Sequence, residues 1–279
     1  MSESVKLITL IDLMFVIMLV ISGSLASPLG DVLYYFSFII PIAIGFYSSF
    51  GLRRKREEIA GVAEPPEVLF NLTRDDARAL LPLVAPSVAV IFLISLVTSL
   101  LLSLAGVSSP AVEDTEIFTM LLVHAAVPAL FEEALFRYIP IKLLAPYSKR
   151  VCVFYSALCF ALIHCSFSQM PYAFAAGMIF MIIDLAFESI WPSVILHFIN
   201  NAASVIWIKY CSGGAVPLIF IGILFGLTLL SLIFILKGKK RYLELVKAAT
   251  VKGERIGVTY APAALILLCC YIAAANIFT

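Results

Sequence analysis

Glu132-Glu133-Ala134-Leu135-Phe136-Arg137 places two carboxylates and a guanidinium in a stretch otherwise apolar enough to cross a membrane. An ionisable side chain near the bilayer centre costs about 2.5–3.5 kcal/mol even on lenient insertion scales, so three within six residues point to a functional site. On a helix Glu133 and Arg137, four apart, share a face, while Glu132 is turned about 100° from Glu133. One carboxylate is then neutralised locally and the other is left to act. Downstream, Phe160 and His164 are four apart in one apolar run, and His197 and Asn201 are four apart in another.

These types suit hydrolysis. Burial makes a carboxylate more basic and a fixed cation opposes this, which divides the pair into Glu132 as general base and Glu133 as the partner of Arg137. Cutting a peptide bond inside a membrane also needs donors aimed at the oxyanion, and His197 with Asn201 on one helical face can supply two. His164 then helps position the water. The same residues allow a second chemistry, in which Glu132 or Glu133 joins His164 and His197 in a two-histidine, one-carboxylate zinc site with an open position. No HExxH is present and Asn201 has no natural place among zinc ligands, so the metal-free mechanism is the reading preferred, with no cofactor and zinc as the alternative.

The elements that must position these residues are all helical. Of 279 residues, 62% are hydrophobic and 13% charged, against the roughly 45–50% apolar content of a soluble domain. The apolar runs are too long and uniform for the alternating strands of an outer-membrane barrel. The expectation is an all-α polytopic bundle in a single membrane domain, 1–279, with about nine spans and eight as the alternative count. They fall near residues 7–26, 32–52, 79–105, 116–144, 150–167, 172–188, 192–210, 216–236 and 258–277. Polar loops are expected at 53–79 and 237–257, and the catalytic core at 116–211. Thr73-Arg74-Asp75-Asp76 reads as a helix start, and Pro128, one turn before Glu132, predicts a kink that frees a carbonyl. Ser24-Leu25-Ala26 has the small-x-small look of a cleavage site, but the first run is long enough to span and is read as retained. The six cysteines show no C-x-x-C and no ligand spacing, so they read as small buried hydrophobes.

Orientation follows Lys and Arg. With the N-terminus cytoplasmic, Arg53–Arg56, Arg74, Arg78, Lys142, Lys149, Arg150 and the basic stretch from Lys237 to Arg255 fall on the cytoplasmic side, leaving Lys209 outside. The opposing loops carry Asp31, Glu113, Asp114 and Glu116. That makes a multi-pass protein of the cell membrane with its C-terminus outside, and puts the glycosylation-like Asn71-Leu72-Thr73 on the wrong side for modification.

The order EExxxR, FxxxH, HxxxN, each on its own apolar helix, resembles the CPBP (Abi) family of intramembrane proteases, which includes the type 2 CAAX-prenyl endoproteases and bacteriocin-processing and immunity proteins. Glu188-Ser189-Ile190-Trp191-Pro192-Ser193 before His197 resembles that family's SLWPS entry to its third motif. The resemblance covers about residues 126–204. It implies an intramembrane glutamic endopeptidase acting on a membrane-associated, in some members prenylated CAAX, protein or peptide. Glu132, His164, His197 and Asn201 correspond to its catalytic residues, with Glu133 and Arg137 supporting them. Neighbouring Asn200 leaves open which amide is used.

Other readings use the same residues differently. A transporter would spread buried charge over two related halves, whereas here it lies in one block; a silent immunity protein would have no use for all four polar roles. His124 reads as structural, and Asp184 and Glu188, four apart, could line an entrance. Nothing points to nucleic acid. At about 1.5 Å per residue Glu132 and His164 lie about 22 and 26 Å from the Lys142–Arg150 turn, but His197 only about 8 Å past Pro192. A shared cavity in the cytoplasmic half therefore requires that turn to project, or the helix of His197 to start within the membrane.

Overall fold

The computed structural model describes residues 2–25, 29–60, 70–106, 115–145, 148–164, 166–211 and 213–250. It is a helical membrane bundle. The elements are α1 (Ser2–Gly23), α2 (Leu29–Ala60), α3 (Arg74–Leu104), a broken helix over Ile117–Leu143, α7 (Lys149–Leu162), α8 (Met170–Phe187), α9 (Trp191–Tyr210), α10 (Val216–Lys237) and α11 (Lys239–Thr250). The broken helix comprises α4 (Ile117–Leu121), α5 (Val127–Glu133) and α6 (Ile139–Leu143), joined by π turns at Leu122–Ala126 and Ala134–Tyr138. Among the described residues, six helices are long and apolar enough to cross a membrane: α1, α2, α3, the broken helix, α8 and α10. The expected span at 258–277 lies outside the described residues, as do Cys269 and Cys270.

Local signals explain several boundaries. Thr73 caps α3 in a capping box, accepting from Asp76 N–H at 3.1 Å while Asp76 Oδ2 accepts from Thr73 N–H at 3.1 Å. Lys239–Thr250, inside the stretch read as a polar loop, is helical: its Lys, Leu, Glu and Ala residues are good helix formers, Leu245 packs on the core and Ala249 is buried. Arg241 donates to the Asp75 carbonyl at 2.7 Å and Tyr242 to that of Ala79 at 3.2 Å, which binds α11 to the start of α3.

The broken helix departs from the expectation of one kink. Pro128 and Pro140 each come two residues after a π turn. A proline cannot donate to the carbonyl four residues back and its ring clashes with it; the wide turn moves that carbonyl clear. The two carbonyls so freed, His124 and Phe136, are both taken by side chains of other helices. Asn201 of α9 donates to His124 O at 3.0 Å, and the Ser156 hydroxyl of α7 donates to Phe136 O. Two prolines twelve residues apart thus pin two neighbouring helices to the one that carries Glu132.

Close approach tightens the rest. A Cβ on Gly177 of α8 would lie 2.7 Å from the Ala157 Cα of α7, so glycine sets the spacing of that hairpin. Phe15, Phe38, Phe136 and Phe160 form an edge-to-face aromatic chain from the α1–α2 hairpin towards the centre of the bundle. Cys152, Cys159 and Cys211 are free and buried.

Candidate active site

Glu132 and Glu133 take opposite environments. Glu133 is wholly buried, with Oε2 3.1 Å from Arg137 Nε and Oε1 2.7 Å from His197 Nδ1. Arg137 is equally buried, its guanidinium 4.3 Å above the Phe160 ring and 5.7 Å from that of Phe180. Glu132 instead lines a cavity of about 760 Å³, and its Oε2 is 3.8 Å from His197 Nε2.

His164, His197, Asn200 and Asn201 line the same cavity. His164 was expected inside a helix running to 167; α7 ends at Leu162, and His164 lies in the closing turn, its N–H bonded to the Ala161 carbonyl at 3.3 Å. Its Nδ1 is 2.7 Å from the Phe160 carbonyl. A carbonyl only accepts, so Nδ1 carries the hydrogen and the neutral ring keeps Nε2 as an acceptor. By the same reasoning the Glu133 carboxylate, held by Arg137, takes the His197 Nδ1 hydrogen and leaves Nε2 for the Glu132 side. Asn201 spends one amide hydrogen on His124 O and keeps the second; its Oδ1 accepts from Asn200 Nδ2 at 3.3 Å.

Depth is resolved by the start of α9. His197 lies six residues into α9 and meets Glu133, ten residues before the end of the broken helix, so α9 begins about 6 Å deeper than that helix ends. The cavity was expected in the half of the bundle that holds the basic loops, and it does not extend towards them. From a floor at Glu132, His197 and Phe180 it runs the other way, past His124, Tyr172, Gln169 and Ile208. The reason is the floor, where Glu133, Arg137 and Asp184 are all 0% exposed and fill the interior below it.

Asp184 belongs to that floor and not to an entrance. Its Oδ1 accepts from Ser193 N–H at 2.9 Å, and its backbone carbonyl accepts from Ser189 N–H at 3.2 Å and from Glu188, which takes a left-handed φ of +51°. Ile190, the residue before α9, makes no side-chain cap, so Asp184 of α8 caps α9 from outside. Asp184 also lies within electrostatic reach of Glu133 and Arg137.

Two contributions were not anticipated. Tyr34, Tyr35 and Phe38 of α2 wall the cavity, although in sequence they are three aromatics in an ordinary span. Asp12, in the middle of α1, is buried and accepts from the Tyr155 hydroxyl, with Cys159 Sγ at 3.9 Å. The signal was present, since a lone carboxylate in an apolar run is itself expensive.

Residues 114–203 match the family model described as type II CAAX prenyl endopeptidase, Rce1-like. The match bears out the resemblance carried by the three motifs, and it contains every catalytic and supporting residue named from them. No curated protein and no solved structure matches the chain. The α1–α2 hairpin, α3, α10 and α11 lie outside the matched Rce1-like stretch, and of these α2 reaches the cavity. Among the described residues no three His, Cys, Asp or Glu side chains stand grouped as a metal set; the zinc alternative would draw on Glu132, His164 and His197, the three that share the cavity.

Proposed function

We propose that this protein is an intramembrane endopeptidase that hydrolyses a membrane-associated polypeptide with a Glu132-activated water, and that prenylated CAAX-type C-termini, the class in the family's description, are its first candidate substrates. The observation that carries this reading is the split of the acidic pair: Glu133 is committed to Arg137 and His197, and Glu132 is free at the cavity wall.

The water proton passes to Glu132 as the oxygen attacks the scissile carbonyl carbon. His164 Nε2 accepts the second water O–H and fixes its direction. The spare Asn201 amide hydrogen and a hydrogen carried on His197 Nε2 stabilise the oxyanion, the ring being held in place by Glu133 at Nδ1. Collapse of the intermediate breaks the C–N bond as Glu132 returns its proton to the leaving amine. In the zinc alternative Glu132, His164 and His197 would hold the ion, which would polarise the carbonyl.

The test is cleavage of a lipidated CAAX peptide by the purified full chain in detergent. Cleavage that is lost in Glu132→Ala, and that survives stringent chelation, is the expected result. Activity retained by Glu132→Ala would refute the glutamate base. Activity lost on metal removal and restored by stoichiometric zinc would replace it with the metal mechanism.

A further inference from the structure

Among the described residues, Asp12 is the one buried acid that neither the floor nor the proposed reaction uses, and it comes from outside the matched stretch. It stands near the middle of α1, where a carboxylate in an apolar span is costly. Its Oδ2 faces α7, accepting from the Tyr155 hydroxyl with Cys159 Sγ at 3.9 Å. Tyr155 and Cys159 are four apart on one face of α7, so one oxygen of α1 contacts two successive turns of that helix.

The second of those turns leads into the active site. α7 stops at Leu162 with neither a glycine nor a left-handed residue to close it, Ile163 keeping a helical φ of −63°. The bonds that close it return to the turn beside Asp12: Ile163 N–H to Cys159 O at 3.1 Å, His164 N–H to Ala161 O at 3.3 Å, and His164 Nδ1–H to Phe160 O at 2.7 Å. Phe160, next to Cys159, lies 4.3 Å from the Arg137 guanidinium, and its ring is edge-on to those of His164 at 5.0 Å and His197 at 5.6 Å. One turn earlier α7 is held on its other sides, by Ser156 on the Phe136 carbonyl and by Ala157 against Gly177. Cys159 carries the hold of α1 on to the turn of Phe160. α1 is itself firmly seated. Phe15, about one turn from Asp12, meets Phe38 and Phe136 edge to face, and a Cβ on Gly45 of α2 would lie 3.2 Å from Ile11 Cδ1. The same hairpin carries Tyr34, Tyr35 and Phe38 at the cavity rim.

We infer that Asp12 is a positioning residue of the active site: through Tyr155 and Cys159 it sets the rotation of the last turns of α7, and thereby where the Phe160 ring and His164 Nε2 stand in the cavity. The α1–α2 hairpin then works with the matched stretch although it lies outside it. That His164 directs a water rests on the protease reading above; that Asp12 places His164 does not.

The chain has three histidines, His124, His164 and His197, so NMR of the full chain in detergent with isotope-labelled histidine nitrogens reads each ring. The His164 signals are identified by their loss in His164→Gln. Asp12→Leu removes the acceptor, and is expected to shift or split the His164 signals while those of His124, on the broken helix, stay in place. Asp12→Asn keeps an oxygen for Tyr155 and is expected to return them close to their original positions. Tyr155→Phe, which leaves Asp12 intact, is expected to move them in the same direction as Asp12→Leu, and reads the same tie should Asp12→Leu fail to fold. In peptide cleavage Asp12→Leu is expected to lower kcat about tenfold with KM within about twofold, and Asp12→Asn to recover most of it. A lowered unfolding temperature with unmoved His164 signals would overturn the inference and leave Asp12 a tie between helices. Equal shifts in all three histidines, or an Asp12→Asn chain as displaced as Asp12→Leu, would overturn it too. The nitrogen signals report whether or not any peptide is cut, so their failure is distinct from failure of the Glu132→Ala test.

Discussion

Glu132 and Glu133 are neighbours in the chain, yet the first borders an open cavity and the second belongs to a sealed floor, and the difference shows what each region demands of its residues. In the floor, Glu133 is held by Arg137 one turn on in the same broken helix and by His197 of α9, and Asp184 Oδ1 by the backbone of α9. At the wall, Glu132 stands 3.8 Å from His197 Nε2 and borders a cavity with room for a water. In the proposed mechanism the floor positions and the wall reacts. Substitutions in the two regions are therefore expected to separate stability from turnover.

The largest separation is expected between Glu132→Gln and Arg137→Met. Removing the proposed general base is expected to lower kcat by about 10²–10⁴-fold, and since the Glu132 contact to His197 Nε2, at 3.8 Å, is longer than a hydrogen bond, the unfolding temperature in detergent is expected to be unchanged or higher. Arg137→Met instead strands the Glu133 carboxylate in the interior, a loss of about 3–5 kcal/mol that appears as a lowered unfolding temperature. Adding Glu133→Gln to Arg137→Met restores part of it. The solvent-facing pair Arg54–Glu58 is the control, where truncation costs at most about 1 kcal/mol. A stability loss in Glu132→Gln as large as in Arg137→Met would erase the distinction.

Asp184 tests whether the floor acts through geometry. Asp184→Leu removes the acceptor at Ser193 N–H, loosens the first turn of α9 and shifts His197 one turn on, with an expected loss of about tenfold in kcat at unchanged KM. Asp184→Asn keeps an oxygen acceptor and is expected to recover most of that loss. If the Asn variant is as impaired as Leu, the role of Asp184 is its charge beside Arg137 and not the cap.

How much of this could be read beforehand follows the same divide. Charge in an apolar segment is conspicuous, so Glu132, Glu133, Arg137, His197 and the suspicion attached to Asp184 all come from residue type and spacing. The rim is different: Tyr34, Tyr35 and Phe38 look like any aromatics of a membrane span, and only the packing of α2 against the broken helix brings them to the cavity. Helix limits were legible where a cap marks them, as at Thr73, and not where a helix simply stops, as α7 does before His164. The start of α9 inside the level at which the broken helix ends is one of the two arrangements that the counted depths required, whereas the direction of the cavity depends on Glu133, Arg137 and Asp184 packing below Glu132, which spacing alone does not give. Asp12 was passed over although the cost of a buried carboxylate applied to it equally.

The smallest effect expected comes from the prolines, and it compares the two π turns directly. Pro128→Ala supplies an N–H four residues after His124, and helix closure then competes with Asn201 for the His124 carbonyl. Asn201 loses its anchor, and its spare hydrogen is no longer aimed, so kcat falls by about three- to tenfold while the helix itself gains from losing a proline. Pro140→Ala makes the same change at the second turn, where the competing donor is the Ser156 hydroxyl, outside the cavity. Its expected effect on kcat is within about twofold, because what it releases touches no residue that lines the cavity except through the packing of α7. Steady-state kinetics on the two variants, with unfolding temperatures alongside, measures this. Equal losses of kcat in both would mean that the turns act by shaping the broken helix as a whole, and that Asn201 owes its position to something other than the carbonyl Pro128 leaves free.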